Sequence, residues 1–111
     1  MSGILEGIRI VDVSRILAGP YATQMLADLG AEVIKIEAPW GDDTRQWGPP
    51  FTTGFDGKKV AAYFLSCNRG KEIVTFDLKR EAQEVRALIE TADVVVENFR
   101  PGTLERLLGP L

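Results

Sequence analysis

The alternation of apolar and polar positions divides the chain into strand-sized and helix-sized pieces in a repeating order. Ile8-Arg9-Ile10-Val11-Asp12-Val13 is rich in β-branched residues and partly alternating, which predicts a strand, and Gly19-Pro20 punctuates the loop from Ser14 to Pro20 that follows. Ala22, Met25, Leu26 and Leu29 then recur at the spacing of one helical face, and Gly30 stands where a helix C-terminal cap belongs. Glu32-Val33-Ile34-Lys35-Ile36-Glu37 alternates as a second strand. Strand, crossover helix and strand within ~30 residues predict a parallel, right-handed βαβ unit.

Ala38 to Lys59 reads as one long loop holding Trp40, Trp47 and Pro39, Pro49 and Pro50, and Val60 to Cys67 as an apolar run of unassigned type. Lys71 to Asp77 predicts a third strand. Arg80 to Thr91 predicts a helix, with Val85, Leu88, Ile89 and Ala92 at helical spacing, and Asp93 to Glu97 a buried fourth strand. The fold class is therefore α/β: a partial Rossmann-like parallel sheet built from two βαβ-type units.

Composition narrows the chemistry. The chain has 111 residues, of which 45% are hydrophobic and 26% charged, so it has room for one folded domain and no second one. No apolar stretch approaches the ~20 residues of a membrane span, and the start at Met1 lacks the pattern of a signal peptide, so the expected location is cytoplasmic, with no membrane partner. Histidine is absent and Cys67 is the lone cysteine, which removes the common general base and the usual zinc set; no metal is expected, and Cys67 is read as packed core. A net charge of -3 speaks against a nucleic-acid partner. Asp42-Asp43 reads as a solvated loop pair, and Asp12 as a turn or capping residue.

Ligands of open α/β sheets sit beyond the C-terminal strand ends. Three loops qualify: Ser14 to Pro20, Asp77 to Arg80, and Asn98 to Thr103. The last combines an amide, an aromatic ring, a cation and a helix-starting turn. Arg100 and Arg106 offer planar forks suited to phosphate, with Lys71 and Lys79 as nearby point charges. The plainer alternative places Phe99 in the core and Arg106 in solvent. A dinucleotide site would require glycines that Leu17-Ala18-Gly19-Pro20 does not supply, although Glu37 ends the second strand where a ribose-binding acid would sit. Trp40 and Trp47 could stack on a ligand or dock their own loop.

Leu5-Glu6-Gly7-Ile8-Arg9-Ile10-Val11-Asp12, Leu17-Ala18-Gly19-Pro20-Tyr21-Ala22, Leu29 to Glu37, Asp42-Asp43-Thr44-Arg45, Asn68-Arg69-Gly70-Lys71 with Asp77-Leu78-Lys79, and Ala92 to Gly102 follow one another in an order that resembles the family III CoA-transferases. That group includes formyl-CoA and carnitine CoA-transferases and the related α-methylacyl-CoA racemases. The resemblance implies that residues 1-111 are the N-terminal part of a larger coenzyme A-binding, Rossmann-like domain. It implies coenzyme A contacts at Leu17, Ala18, Phe76, Asp77, Leu78, Lys79, Asn98, Phe99, Arg100 and Arg106.

It further implies transfer of coenzyme A from an acyl-CoA to a carboxylic acid acceptor, through an anhydride on an aspartate that lies beyond residue 111. No catalytic residue is then expected within the chain, and the full-length protein is expected to be a homodimer. Ala38 and Leu17 stand where formyl-CoA transferase has an arginine and a glutamine, which speaks against formyl or oxalyl specificity. Asn98-Phe99 favours the transferase branch over the racemases. Outside that family, the alternatives are a self-associating binding module and a dinucleotide-binding domain.

Overall fold

The computed structural model describes residues 3-111. Met1 and Ser2, the start of the segment read as lacking a signal peptide, lie outside the described residues. In chain order the elements are β1 (Arg9–Asp12), α1 (Ala18–Asp28), β2 (Glu32–Glu37), a 3-10 turn (Asp43–Gln46), β3 (Phe51–Thr53), β4 (Lys59–Ala61), α2 (Ala62–Cys67), β5 (Glu72–Thr75), α3 (Ala82–Glu90), β6 (Val94–Val96) and α4 (Thr103–Leu108). No helix among the described residues is long and apolar enough to cross a membrane.

Four strands form a parallel sheet in the order β5-β2-β1-β6. The first βαβ unit places β2 directly beside β1, with Ile10 opposite Val33 and Asp12 opposite Lys35. The second unit is also strand, helix, strand, but β5 and β6 are not neighbours. They occupy the two edges, so the α3 connection crosses the whole width of the sheet. Because all four strands run the same way, the loops after β1, β2, β5 and β6 emerge at one end.

One sheet face packs Val11, Val13 and Ile36 against Val85 of α3 and Leu104 and Leu108 of α4. The other packs Ile10, Ala31 and Val33 against Leu26 and Ala27 of α1. This three-layer arrangement is the usual way for a parallel sheet to cover both faces.

Three expectations about the elements are corrected. Asp93 to Glu97 is not a buried strand: β6 is an edge, and Val94 is 44% exposed. The apolar spacing correctly predicts α1, but its inward face carries Pro20, Thr23 and Gln24, while Met25 and Leu29 face outward. Polar side chains turn inward because the region beneath them is polar. Thr23 Oγ1 donates to Asp12 Oδ2 at 2.6 Å, and Gln24 bridges the Ser66 carbonyl at 2.8 Å and the Arg69 amide at 2.6 Å.

The segment read as one long loop contains the 3-10 turn and the β3–β4 hairpin, whose turn closes by Gly54 N–H to the Lys58 carbonyl at 2.8 Å. The apolar run left unassigned falls in β4 and α2, with Phe64 and Cys67 buried. Cys67 is thus packed core, as expected. Trp47 docks its segment by an edge-on contact with Tyr63 at 5.4 Å, whereas Trp40 stays 73% exposed.

Candidate functional site

The loop after β1 is held almost atom by atom. Asp12, at the end of that strand and fully buried, accepts the Ser14 amide at 2.8 Å and the Ser14 hydroxyl on Oδ1. Its Oδ2 accepts Lys71 Nζ at 3.0 Å, and the same ammonium donates to the Pro20 carbonyl and to Asn68 Oδ1, each at 2.9 Å. Burial pushes the Lys71 ammonium below its ordinary value, against the opposing pull of Asp12. Lys71 was expected to offer a charge near a ligand. It does not, because it is sealed in the interior against Asp12, whose role extends well beyond a turn.

Lys35, opposite Asp12 on β2, is committed in the same manner. Its ammonium donates to the Ser14 carbonyl and to Asp42 Oδ2, both at 3.2 Å, and both side chains are 1% exposed. Asp42 also accepts the Thr44 amide at 3.0 Å, the Thr44 hydroxyl at 2.8 Å and the Ile16 amide at 3.3 Å. Burial alone would raise its carboxyl. The Thr44 hydrogen bonds and the Lys35 charge outweigh burial and hold it below the usual range. The expectation of a solvated Asp42 is therefore wrong: the residue is a buried cap of the 3-10 turn, and its neighbour in sequence gave no sign of that.

Asn98, at the end of β6, completes the grip. Its Oδ1 accepts the Arg15 amide at 3.0 Å and its Nδ2 donates to the Arg15 carbonyl at 2.8 Å. Between these fixed points Ile16 adopts φ 71, a left-handed conformation that branched residues avoid. At the far end of the loop a Cβ on Gly19 would overlap the Ser14 side chain, so the close return of the chain into α1 requires glycine.

Beside this loop, past the ends of β1 and β2, lies a cavity of about 300 Å³. Of the ten residues carried by the family resemblance, Asp77, Leu78, Lys79 and Phe99 line it. The other six do not. Leu17 and Ala18 are exposed at the start of α1, Phe76 packs on the apolar core beneath, and Asn98 is the brace of Arg15. Arg100 and Arg106 are exposed, Arg106 on the helix α4 whose Thr103 and Leu107 do line the cavity. That helix starts after Gly102 in a left-handed turn, φ 86. Arg15, Ala38 and Trp40 also line the cavity, and sequence reasoning did not propose Arg15.

The wall charges are unequally committed. Glu37 is buried, accepts Arg45 Nη2 at 2.8 Å and the Asp42 amide at 2.6 Å, and is closed off from the ribose role that a dinucleotide reading would give it. Arg45 in turn lies over the Phe64 ring at 3.9 Å. Asp42 belongs to Lys35, and Asp77 Oδ1 accepts the amides of Lys79 at 2.9 Å and Arg80 at 3.1 Å. By contrast, Arg15 and Lys79 have no carboxylate partner among the described residues. The cavity therefore presents apolar walls from Ile36, Leu78, Phe99 and Leu107 beside two available cations and one exposed acid, Asp43. That combination suits a ligand with an apolar ring or chain and an oxyanion.

The sequence pattern of CoA-transferase family III matches residues 5-109. A succinate–glutarate CoA-transferase of Agrobacterium fabrum is 55% identical over 100 residues, covering 86% of this chain and 25% of that protein. A succinyl-CoA:glutarate CoA-transferase of Mus musculus is 50% identical over 106 residues, covering 93% of this chain and 23% of that protein. The crystal structure of a CAIB/BAIF family protein from Brucella suis superposes with a TM-score of 0.92 at 50% identity, over 96% of this chain and 29% of that one. The chain spans about a quarter of the length of the curated relatives it matches.

Proposed function

The chain belongs to CoA-transferase family III, and from that premise we propose that it forms the N-terminal coenzyme A-binding section of an enzyme that moves coenzyme A between carboxylic acids. The observation that carries this reading is the cavity beyond the strand ends, where Arg15 and Lys79 have no carboxylate partner among the described residues, Glu37, Asp42 and Asp77 are held by cations or amide donors, and Asp43 alone of the lining acids is exposed. A nucleotide carrying phosphates meets cations there without an opposing free carboxylate from Glu37, Asp42 or Asp77. Asp77, Leu78, Lys79 and Phe99 contact coenzyme A from the cavity wall. Leu17, Ala18, Phe76, Arg100 and Arg106 extend the contact surface around it, and Asn98 supports that surface from the Arg15 backbone.

The proposed chemistry is acyl transfer through a carboxylate. An aspartate supplied from outside residues 1-111 attacks the thioester carbonyl carbon, the carbon–sulfur bond breaks, and the coenzyme A thiolate leaves. The thiolate then attacks the aspartyl carbonyl of the mixed anhydride, releasing the donor carboxylate and leaving an aspartyl thioester. The acceptor carboxylate attacks that thioester, expelling the thiolate and forming a second anhydride. The thiolate attacks its acceptor carbonyl to release the new acyl-CoA and the free aspartate. The names of the Agrobacterium and mouse relatives favour transferase over racemase and small dicarboxylic acids as acyl partners. Calorimetric titration of coenzyme A into the purified protein tests the site. Saturable heat is expected, and none at millimolar ligand would remove the binding reading. The chain alone is expected to show no acyl transfer, since Asp12, Glu37 and Asp42 are all locked in buried ion pairs with lysine or arginine.

Self-association is a second reading with its own observation. Tyr21 and Met25 of α1 and Leu29 just past its end are 52%, 49% and 44% exposed, and the edge strands expose Ile73 and Val94. An apolar row of this kind marks an interaction surface. It supports a homodimer of the full-length enzyme. Light scattering over a dilution series is expected to show a particle that grows with concentration, and a constant monomer speaks against it.

A further inference from the structure

We propose that Arg15 is a phosphate-binding residue of the coenzyme A site and that Asn98 is its positioning residue. The proposal rests on the coenzyme A reading above and adds two roles to it. Arg15 is exposed, and exposed arginines are ordinarily free to sample many conformations. Here the backbone beneath it is fixed on both sides. The Asn98 carboxamide takes both its amide and its carbonyl, Lys35 holds the carbonyl of Ser14 before it, and Asp42 holds the amide of Ile16 after it.

The side chain is oriented as well. Its guanidinium carbon sits 5.0 Å from the centroid of the Phe99 ring, a stacking distance that restrains a planar cation without neutralising it. Phe99 is itself a wall of the cavity, so the stack places the guanidinium beside the space a ligand would fill. Of the acids lining the cavity, Glu37, Asp42 and Asp77 are engaged with Arg45, Lys35 and backbone amides and Asp43 is exposed, and none of the described carboxylates pairs with Arg15. Lys79 lines the same cavity, giving two cations of different geometry. A fork and a point charge together fit the several oxyanions of a nucleotide phosphate better than the single carboxylate of a short acyl group.

This arrangement gives Asn98 a different task from a direct ligand contact. Both polar atoms of its carboxamide are used on the Arg15 backbone, so it acts on the ligand through Arg15. Calorimetric titrations of three ligands, coenzyme A, pantetheine (which lacks every phosphate) and succinate, into four proteins, the unaltered one, Arg15→Ala, Asn98→Ala and the double variant, separate the possibilities. Arg15→Ala is expected to weaken coenzyme A by roughly ten- to a hundred-fold, the scale of one lost charge-assisted hydrogen bond, with pantetheine unchanged and the thermal midpoint unmoved. Asn98→Ala is expected to weaken coenzyme A less, and the double variant no more than Arg15→Ala alone.

Equal coenzyme A affinity in Arg15→Ala, or a loss seen for succinate instead, overturns the role of Arg15 while leaving the site intact. A double variant weaker than either single one by the product of their effects shows Asn98 touching the ligand and overturns its positioning role. Absence of coenzyme A binding by the unaltered protein overturns the underlying site reading and this inference with it.

Discussion

Replacing Asp42 by alanine should be among the most damaging single changes in the protein, although the residue lies in a segment whose sequence looks like an ordinary polar loop. The substitution strands a lysine ammonium that is 1% exposed and removes the acceptor of the Thr44 amide, the Thr44 hydroxyl and the Ile16 amide. Breaking a buried pair by deleting one member costs about 3–5 kcal/mol, against a total of about 5–15 kcal/mol for a typical domain. At roughly 4 °C per kcal/mol for a chain of this size, the midpoint should fall by roughly 12–20 °C in a thermal melt followed by circular dichroism at neutral pH. Removing Lys35 as well, in Lys35→Met/Asp42→Ala, takes away the stranded charge. The double variant should therefore recover about 1–3 kcal/mol relative to the sum of the single losses.

The pH dependence has a fixed sign. The folded carboxyl lies below its unfolded value of about 3.9, so its contribution is present above about pH 4 and fades as the pH falls through the folded value. Asp42→Ala should lack that part of the acid branch. A midpoint shift under about 3 °C, or single losses that simply add in the double variant, would refute the claim that this pair anchors the loop.

Two further outcomes follow from the other ion pairs. Lys71→Met leaves Asp12 buried without its cation and should cost about 3–5 kcal/mol in denaturant unfolding. Because the folded ammonium releases its proton more readily than the unfolded one, the unfolded chain binds more protons between the folded value and about pH 10.4; stability of the unaltered protein should rise with pH across that window, and Lys71→Met should flatten the rise. Asp28→Asn, by contrast, breaks a pair with Arg69 whose side chains are 44% and 66% exposed, and its unfolding free energy should change by less than about 1 kcal/mol.

What could be read from sequence divides along physical lines. The strands β1 and β2 and the helices α1 and α3 are legible because each repeats its period over several residues, and Val85 and Ile10 are buried as that period requires. The β3–β4 hairpin is hidden because Phe51, Thr52 and Thr53 are all exposed and show no alternation; only Asp56-Gly57 marks its turn. The inward face of α1 is hidden for a different reason. Thr23 and Gln24 are buried by hydrogen bonding to groups far away in sequence, Asp12, Ser66 and Arg69, and no local pattern carries that information. The same holds at the site. Lys71 and Lys79 look alike as candidate cations in the sequence, yet Lys71 is consumed by the buried Asp12, while Lys79 and also Arg15, which no motif singled out, line the cavity with no carboxylate partner among the described residues.

These placements explain why so polar an interior is retained around one loop. Along the α1 side of the sheet, the register puts Ile10 beside Val33 and then Asp12 beside Lys35, so the interior changes from apolar to ionic as it nears the strand ends. An apolar pair at those two positions would pack the sheet, but it would offer nothing to the carbonyls of Ser14 and Pro20 or the amides of Ser14 and Ile16. Left alone, that loop would relax away from the left-handed backbone at Ile16, a conformation costing on the order of 1–3 kcal/mol. Two crossed pairs, Asp12 with Lys71 and Asp42 with Lys35, supply those partners from segments that a free loop could not reach. Their contribution is thus to the shape of the ligand-facing backbone more than to gross stability, since buried ion pairs add little net free energy over apolar substitutes. Where the loop meets the cavity, that imposed shape fixes the backbone from which Arg15 extends.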